Sequence, residues 1–414
     1  MPERHLGPEV SPLGLAPPSA ATAAEAAVLD LIGTEEITSL AAALVVAPGE
    51  NPPGQEQATV EVLARACDQR GLDHEIDPVR PGRPNLRARL AGGDGPGLLF
   101  LGHSDVVPAG DGWSMHPHRG LVRDGRLYGR GSADMKGGLA AMLVALGAMR
   151  RAGVPLRGPV ELAVTIDEED AALGVRHYLT SGHGRGFAGC VVGEPTGLQT
   201  VIAARGDAYL EIKITGRAAH AGSPDEGTNA IYGAAEIIDD LRCWHAELAG
   251  SGHPLTGPAT VSVGTISGGT GPSIVPAECR LIADRRLLPT ETGPMVLDQL
   301  RRRIGRLDLP DDLRIETELI LDMPGFETAN DSTIATVVHD SCIAAGAPEL
   351  PPGGWSAACD GGFLARDAGL DVVVFGPGSV TEQAHQADES VPIRDLLTAA
   401  RGYALIIQRT LGIS

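Results

Sequence analysis

Four short apolar runs in this chain each stop at a cluster of small or charged residues. Leu98–Leu101 meets Gly102-His103-Ser104-Asp105, and Val160–Ile166 meets Asp167-Glu168-Glu169-Asp170. Cys190–Val192 leads to Gly193-Glu194-Pro195, and Val372–Phe375 to Gly376-Pro377-Gly378. Runs this short, closed by turn residues, predict strands buried on both faces. Between the first two lies Gly137–Ala152, an Ala/Leu/Met stretch of helical character. Strands alternating with helices predict an α/β fold, a mostly parallel sheet flanked by helices. Functional groups on such sheets gather outside the carboxyl ends of the strands. Three of the four clusters carry acid or imidazole side chains at those ends.

The middle of the chain has a different rhythm. Ala208–Thr215 alternates like a half-exposed strand and is followed by a helix from about Thr228 to Leu248. Strands at Thr260–Ile266 and Cys279–Arg286 come next, then a helix near 293–306 and a strand near 313–321. Strand-helix-strand-strand-helix-strand is the split βαβ, ferredoxin-like pattern. It predicts an inserted α+β domain over 203–318 within a discontinuous domain of 1–202 and 319–414. Before the sheet, residues 1–20 read as a loose leader, Ala21–Ala47 as a helix and Glu56–Arg70 as another.

Composition narrows the classes. A chain of 414 residues is long enough for two cores, and 43% hydrophobic with 21% charged residues is ordinary for a soluble globular protein. No apolar run approaches a bilayer span, and MPERHLGPEV lacks the pattern of a secretory signal. Six cysteines without a C-x-x-C pair argue against a zinc-thiolate site or a disulfide framework and predict a reducing, cytoplasmic setting. A formal charge of −20 and 3% aromatics oppose binding to nucleic acid or to anionic membranes. The acidic excess aids solubility, and part of it is available as metal ligands.

The chemistry lies in the clusters taken together. His103 and Asp105 form H-x-D at a strand end, suited to a metal-binding imidazole whose other ring nitrogen donates to the carboxylate. Asp134 sits in GRGSADMKGG, whose spacing is not that of a phosphate loop. A carboxylate in a Gly-rich loop facing a sheet end can bridge two metals. Glu168 and Glu169 are adjacent, so both reach one site only if the chain turns there. Glu194 in GEPT and His385 in AHQADE complete the set. Singly, each of these residues is explained as readily by a surface turn. Jointly, two histidines and three carboxylates suit a pair of Zn²⁺, with Co²⁺ or Mn²⁺ as alternatives, about 3.5–4 Å apart.

The motifs GHSDVVPAGDGW, GRGSADMKGG, TIDEED, GEPT, GRAAHAGSPDEGTNAI and FGPGS…AHQADE, in this order, resemble a dinuclear zinc family. It is the family of acetylornithine deacetylase, succinyl-diaminopimelate desuccinylase, aminoacylase and glutamate carboxypeptidase. The resemblance implies that Asp134 bridges the metals, with His103 and Glu194 on one and Glu169 and His385 on the other. It implies Glu168 as general base acting on a bridging water, Asp105 behind His103, and a lid domain through which members form homodimers. His220, in RAAHAGSP, matches a histidine that reaches the partner subunit's site and stabilises the oxyanion.

For the substrate, Arg286 in ADRRLLP matches a D-x-R-x-x-P arginine that pairs with a carboxylate, with Arg285 beside it as the open alternative. Ser273 stands where many relatives have Asn, and Cys359, before Asp360, where Ser or Thr is common. Gly378 and Ser379 offer backbone amides to a substrate, or form a plain tight turn. The expected activity is hydrolysis of an N-acyl amino acid by an acetylornithine deacetylase-like deacylase. A dipeptidase or carboxypeptidase is the second reading, and a non-catalytic homologue binding an amino-acid derivative the third.

Overall fold

A computed structural model describes residues 21–412, so the leader read in residues 1–20 lies outside the described residues. The large sheet is mixed and has nine strands. Its order is Asp73–Arg80, Arg83–Leu90, Val160–Thr165, Gly97–His103, Phe187–Val192, Val372–Val374, Val201–Ala204 and Phe326–Glu327, with Gly353–Trp355 also on Val201–Ala204. The four strands from Val160–Thr165 to Val372–Val374 are parallel, so their carboxyl ends lie at one edge. The hairpin at one flank, and the pairing of Val201–Ala204 with Val372–Val374 and Phe326–Glu327, are antiparallel. All residues of Gly97–His103 and Val160–Thr165 are buried, as expected of strands covered on both faces.

Helices cover both faces. One face carries Thr34–Val46, Gln57–Arg70, Lys136–Ala152, Thr333–Ala344 and Ile393–Leu411, which share one continuous core with the sheet. The other carries the shorter Leu173–Thr180 and Gly361–Ala368. Lys136–Ala152 is buried on every side from Lys136 to Met149. That is why its sequence shows little polar periodicity. The single helix expected over Ala21–Ala47 is two, Ala23–Leu29 and Thr34–Val46. Gly33, extended at φ −94° and ψ 137°, breaks them, and Glu35 and Glu36 favour a new helix start there. The hairpin Asp73–Leu90 went unread because its outer strand is polar and largely exposed.

The second sheet has four antiparallel strands in the order Thr260–Gly268, Glu278–Leu287, Gly206–Thr215 and Arg314–Met323. Helices Ala230–Leu248 and Gly293–Ile304 pack on it around a third core that includes Leu210, Ile212, Leu281 and Val296. The last strand runs through residue 318 and ends at Met323, whose side chain reaches the core of the large sheet. Among the described residues, no helix is long and apolar enough to cross a membrane.

Candidate metal centre and its cavity

Each acidic or imidazole group is delivered by a strand end or by the loop after it. His103 closes the strand Gly97–His103 and is 1% exposed. Its Nδ1 donates to the backbone carbonyl of Asp105 at 3.0 Å, and the Asp105 carboxylate lies farther off at 3.6 Å. The tautomer is thus fixed with Nε2 free to act as a ligand. That nitrogen faces Asp134 Oδ1 at 3.2 Å, Glu194 Oε1 at 3.4 Å and Glu168 Oε2 at 3.9 Å. His385 Nε2 faces the other oxygen of Asp134 at 3.4 Å and Glu169 Oε2 at 3.1 Å. Two imidazoles therefore flank one carboxylate, and each has a further acid.

The turn that places Glu168 beside Glu169 is built at Asp167, which has φ 68°. Left-handed backbone suits Asp better than most side chains, and it breaks the strand alternation that would send the two glutamates to opposite faces. The Asp105 carboxylate holds the turn, its two oxygens accepting the amides of Glu168 and Glu169, both at 3.2 Å. This differs from the place behind the His103 ring expected from H-x-D, because the Asp105 backbone carbonyl already takes the ring proton.

The Asp134 loop is fastened by a residue the sequence reading passed over. Glu389 accepts from the amides of Ala133 (2.8 Å), Asp134 (3.1 Å) and Gly131 (3.1 Å), and pairs with Arg130 Nη1 at 2.7 Å. Both Arg130 and Glu389 are buried. Its position four residues after His385, in the same AHQADE segment, was the available signal. Glu194 is placed by close backbone approach. A Cβ on Gly138 would come within 2.4 Å of the Gly193 carbonyl, and one on Gly376 within 2.4 Å of the Glu194 carbonyl. No side chain fits at either glycine.

Burial and crowded charge set the protonation behaviour of the cluster. Burial raises Glu168, and the charges of Glu194 and Glu169 push it further, well above the usual carboxylate range despite His103. Glu194 is pushed up to about 8 by burial and by the nearby Asp134. Hydrogen bonds to Asp134 and Glu169 raise His385 to about 10. Burial would lower His103, but Glu194 and Asp134 hold it well above its ordinary value. Left alone, the cluster gathers protons to offset crowded negative charge, which bound cations would replace. Two donor groups, His103 with Asp134 and Glu169 and His103 with Glu168 and Glu194, each bring their ligand atoms within 4.8 Å of one another. The two groups share His103, and Asp134 turns its second oxygen to His385 at 3.4 Å; imidazole and carboxylate donors so placed fit divalent ions of the zinc type.

The cavity over the cluster is lined by Asp134, Glu168, Glu169, Glu194 and His385 on the large-sheet side. Asp207, Tyr209 and Arg286 line it from the second sheet. Here the neighbouring arginines separate. Arg286 Nε and Nη2 bond Asp284 at 3.0 and 2.8 Å, and Nη2 lies 3.2 Å from Asp207. Arg285 points into the core of the second sheet, paired with Glu291 at 2.7 Å and lying over Trp244. Alternation along one strand puts them on opposite faces.

The remaining residues singled out in the sequence lie elsewhere. His220 is exposed, its Nδ1 accepting from the Gly222 amide at 3.0 Å, and its backbone bridges Ile274. Ser273 is beside it, its carbonyl accepting from Ala221 at 3.0 Å. Among the described residues of this one chain, neither lines the cavity. Gly378 packs against Ala133 with φ 83°, and the Ser379 amide donates to Gln383 Oε1 at 3.1 Å. Cys359 is buried next to the wall formed by Ala357 and Ala358, and Asp360 accepts from Thr165 Oγ1 at 2.8 Å.

A three-layer α/β arrangement with imidazole and carboxylate groups gathered at the carboxyl edge of its sheet, facing a second α+β sheet, is that of a metal-dependent hydrolase. The sequence pattern of Peptidase family M20/M25/M40 matches residues 99–409, and the chain belongs to that family and is a hydrolase of amide bonds. It is 32% identical to an acetylornithine deacetylase of Aliivibrio fischeri over 336 residues, 80% of this chain and 85% of the relative. To a succinyl-diaminopimelate desuccinylase of Gluconacetobacter diazotrophicus it is 33% identical over 390 residues, 90% and 97% of the two chains. In fold it is similar to an M20 metallo-carboxypeptidase of Sulfolobus solfataricus (TM-score 0.73, 19% identity, 90% and 98% covered). A dinuclear metal binding peptidase of Bacillus subtilis is similar too (TM-score 0.69, 18% identity, 91% and 98% covered).

Proposed function

We propose that this chain is a two-metal deacylase of N-acyl amino acids, with Glu168 as its general base. The observation that carries the reading is the Asp134 carboxylate, shared between His103 at 3.2 Å and His385 at 3.4 Å with Glu168 in the same cavity wall. His103, Asp134 and Glu194 would hold one ion and Asp134, Glu169 and His385 the other, Zn²⁺ in the first instance with Co²⁺ or Mn²⁺ as substitutes. Such ions, when bound, lower the pKa of water and polarise the amide carbonyl. Glu168 takes the proton of the attacking water and hands it to the departing amine. Its burial beside other carboxylates, which raises its proton affinity, suits that double duty. The curated relatives named as a deacetylase and a desuccinylase favour acyl amino acids. Structural neighbours such as the human carnosine dipeptidase 1 (TM-score 0.71, 16% identity) share the fold with a dipeptidase, the second reading.

Arg286 lies in the cavity wall with two of its nitrogens committed to acids, which supports Nη1 as the donor to a substrate carboxylate. Residues 203–318 are then the core of a lid. The exposure of His220 and Ser273 supports a homodimer in which the partner's lid brings His220 to this cavity. Five buried free cysteines and one exposed one support a reducing, cytoplasmic setting.

A panel of N-acyl amino acids and dipeptides tests the reading, with and without chelator. Hydrolysis of acyl amino acids that stops with chelator and returns with Zn²⁺ or Co²⁺ is expected. Full turnover by verified metal-free protein would overturn it, and turnover of dipeptides alone would shift it to the second reading.

A further inference from the structure

The turn Asp167–Asp170 must hold Glu168 and Glu169 side by side against their mutual repulsion, and the bonds that do this lead away from the metal cluster. Asp167, at φ 68°, accepts at Oδ2 from the amides of Ala171 (3.2 Å) and Leu173 (3.4 Å). Its Oδ1 accepts from Asn51 Nδ2 at 3.0 Å and from Arg83 Nη2 at 2.6 Å. The same Asn51 nitrogen donates to Asp105 Oδ2 at 3.0 Å. Asp105 in turn holds the amides of Glu168 and Glu169. Arg83 is itself aimed by Glu56, a fully buried carboxylate that accepts from its Nε at 2.9 Å and its Nη2 at 2.5 Å. From the same hairpin, Asn85 fastens the turn's flanks, accepting from the Ile166 amide at 3.1 Å and donating to the Gly174 carbonyl at 2.9 Å.

Two carboxylates, Asp105 and Asp167, thus meet on one amide nitrogen, with a third acid, Glu56, behind them. The Arg83 guanidinium is the positive charge bonded within this group; its fork grips Glu56 through Nε and Nη2, which aims Nη2 at Asp167 as well. We propose that Arg83, on the edge hairpin Asp73–Leu90, is a positioning residue for the general base. It locks Asp167 in the left-handed turn and, through Asn51 and Asp105, sets the backbone of Glu168. The proposal rests on the assignment of Glu168 as base. It adds a residue more than eighty positions away that touches neither metal ligand nor substrate.

The test uses full-length, metal-loaded Arg83→Met and Arg83→Lys. Arg83→Met should lower kcat by about ten- to a hundredfold, the scale of a small misplacement of a catalytic group. KM should stay within about threefold and both metals should remain bound, since the substitution leaves the ligands and the Arg286 wall in place. Arg83→Lys keeps the charge without the fork and should recover only part of the loss. Amide hydrogen exchange resolved over 166–173 should quicken in both variants, while the second sheet is unchanged. If Arg83→Met does not fold, the Lys variant decides by the same readings. A folded variant with wild-type kcat, or one whose kcat falls only in step with its metal content, overturns the proposal. If Glu168→Gln turned over normally, the assignment of the base would fail instead, and that result is separate from any effect at Arg83.

Discussion

The two regions that carry the sequence motifs of this chain are built in opposite ways. At the carboxyl edge of the large sheet, His103, Asp134, Glu168, Glu169 and Glu194 are buried or nearly so, only His385 is half exposed, and carboxylates hold the amides of Asp134, Glu168 and Glu169. On the second sheet, His220 and Ser273 sit on exposed loops paired mainly with each other. The first region is complete within one chain and is preorganised to hold charge. The second is open to solvent. On the proposed assignments the contrast makes metal binding and transition-state stabilisation separable: one chain would contain the whole ligand set, and the proposed oxyanion donor would wait on a partner.

The contrast can be broken most decisively at the buried end. Chelation should reduce hydrolysis to background, and Glu168→Gln should do so with both metals still bound, as measured by elemental analysis. At the exposed end, His220→Ala should cost about 10²–10³ in kcat, the usual loss of one oxyanion donor, with metal content untouched. Mixing the inactive Glu168→Gln and His220→Ala chains sharpens the point. If His220 acts across the interface, mixed dimers regain one working site, and activity returns on remixing. If it acts within its own chain, none does.

The support of the Asp134 loop comes next in size. Glu389→Ala leaves Arg130 buried without its counter-charge, with only backbone carbonyls such as that of Ala109 to bind, which should cost about 3 kcal/mol of stability in denaturant unfolding. It should also weaken metal binding, because the Asp134 amide loses its acceptor. A smaller effect is the pH dependence of the metal-free protein. His385 is raised to about 10 and Glu194 to about 8, both above their unfolded values. Groups raised in the folded state stabilise below the unfolded pKa and lose that contribution as pH rises through the folded one. Metal-free protein should therefore melt at falling temperature from about pH 5 to about pH 10, more steeply than loaded protein, in which metal would replace the protons. Scanning calorimetry of both forms checks this. The smallest change expected is at the substrate wall: Arg286→Lys should raise KM for acyl amino acids more than it lowers kcat, because a point charge replaces the guanidinium fork.

Much of this was legible in the chain itself. Buried parallel strands announce themselves as short apolar runs, and functional groups gather where such strands end, so the runs over Gly97–His103 and Val160–Thr165 point to His103 and Glu168. The ferredoxin-like order of the inserted elements was readable from alternation and helix period, and the strand order of the second sheet agrees with it. Arg83 and Asn51 had no such signal. They lie in a polar hairpin and a Pro/Gly loop, and their importance comes only from distances to Asp167 and Asp105.

The sequence by itself determined the kind of chemistry, because imidazole and carboxylate side chains at strand ends can be placed by counting residues. Tertiary structure alone decided three finer matters. It turned the Asp105 carboxylate toward the Glu168 and Glu169 amides, because the His103 ring had already found a backbone carbonyl. It sent Arg286 to the cavity and Arg285 to the core, because strand neighbours face opposite ways and only packing says which face is which. It also left His220 outside the cavity of its own chain. Such choices depend on what lies across a gap of a few ångströms between segments far apart in sequence, which residue order does not specify.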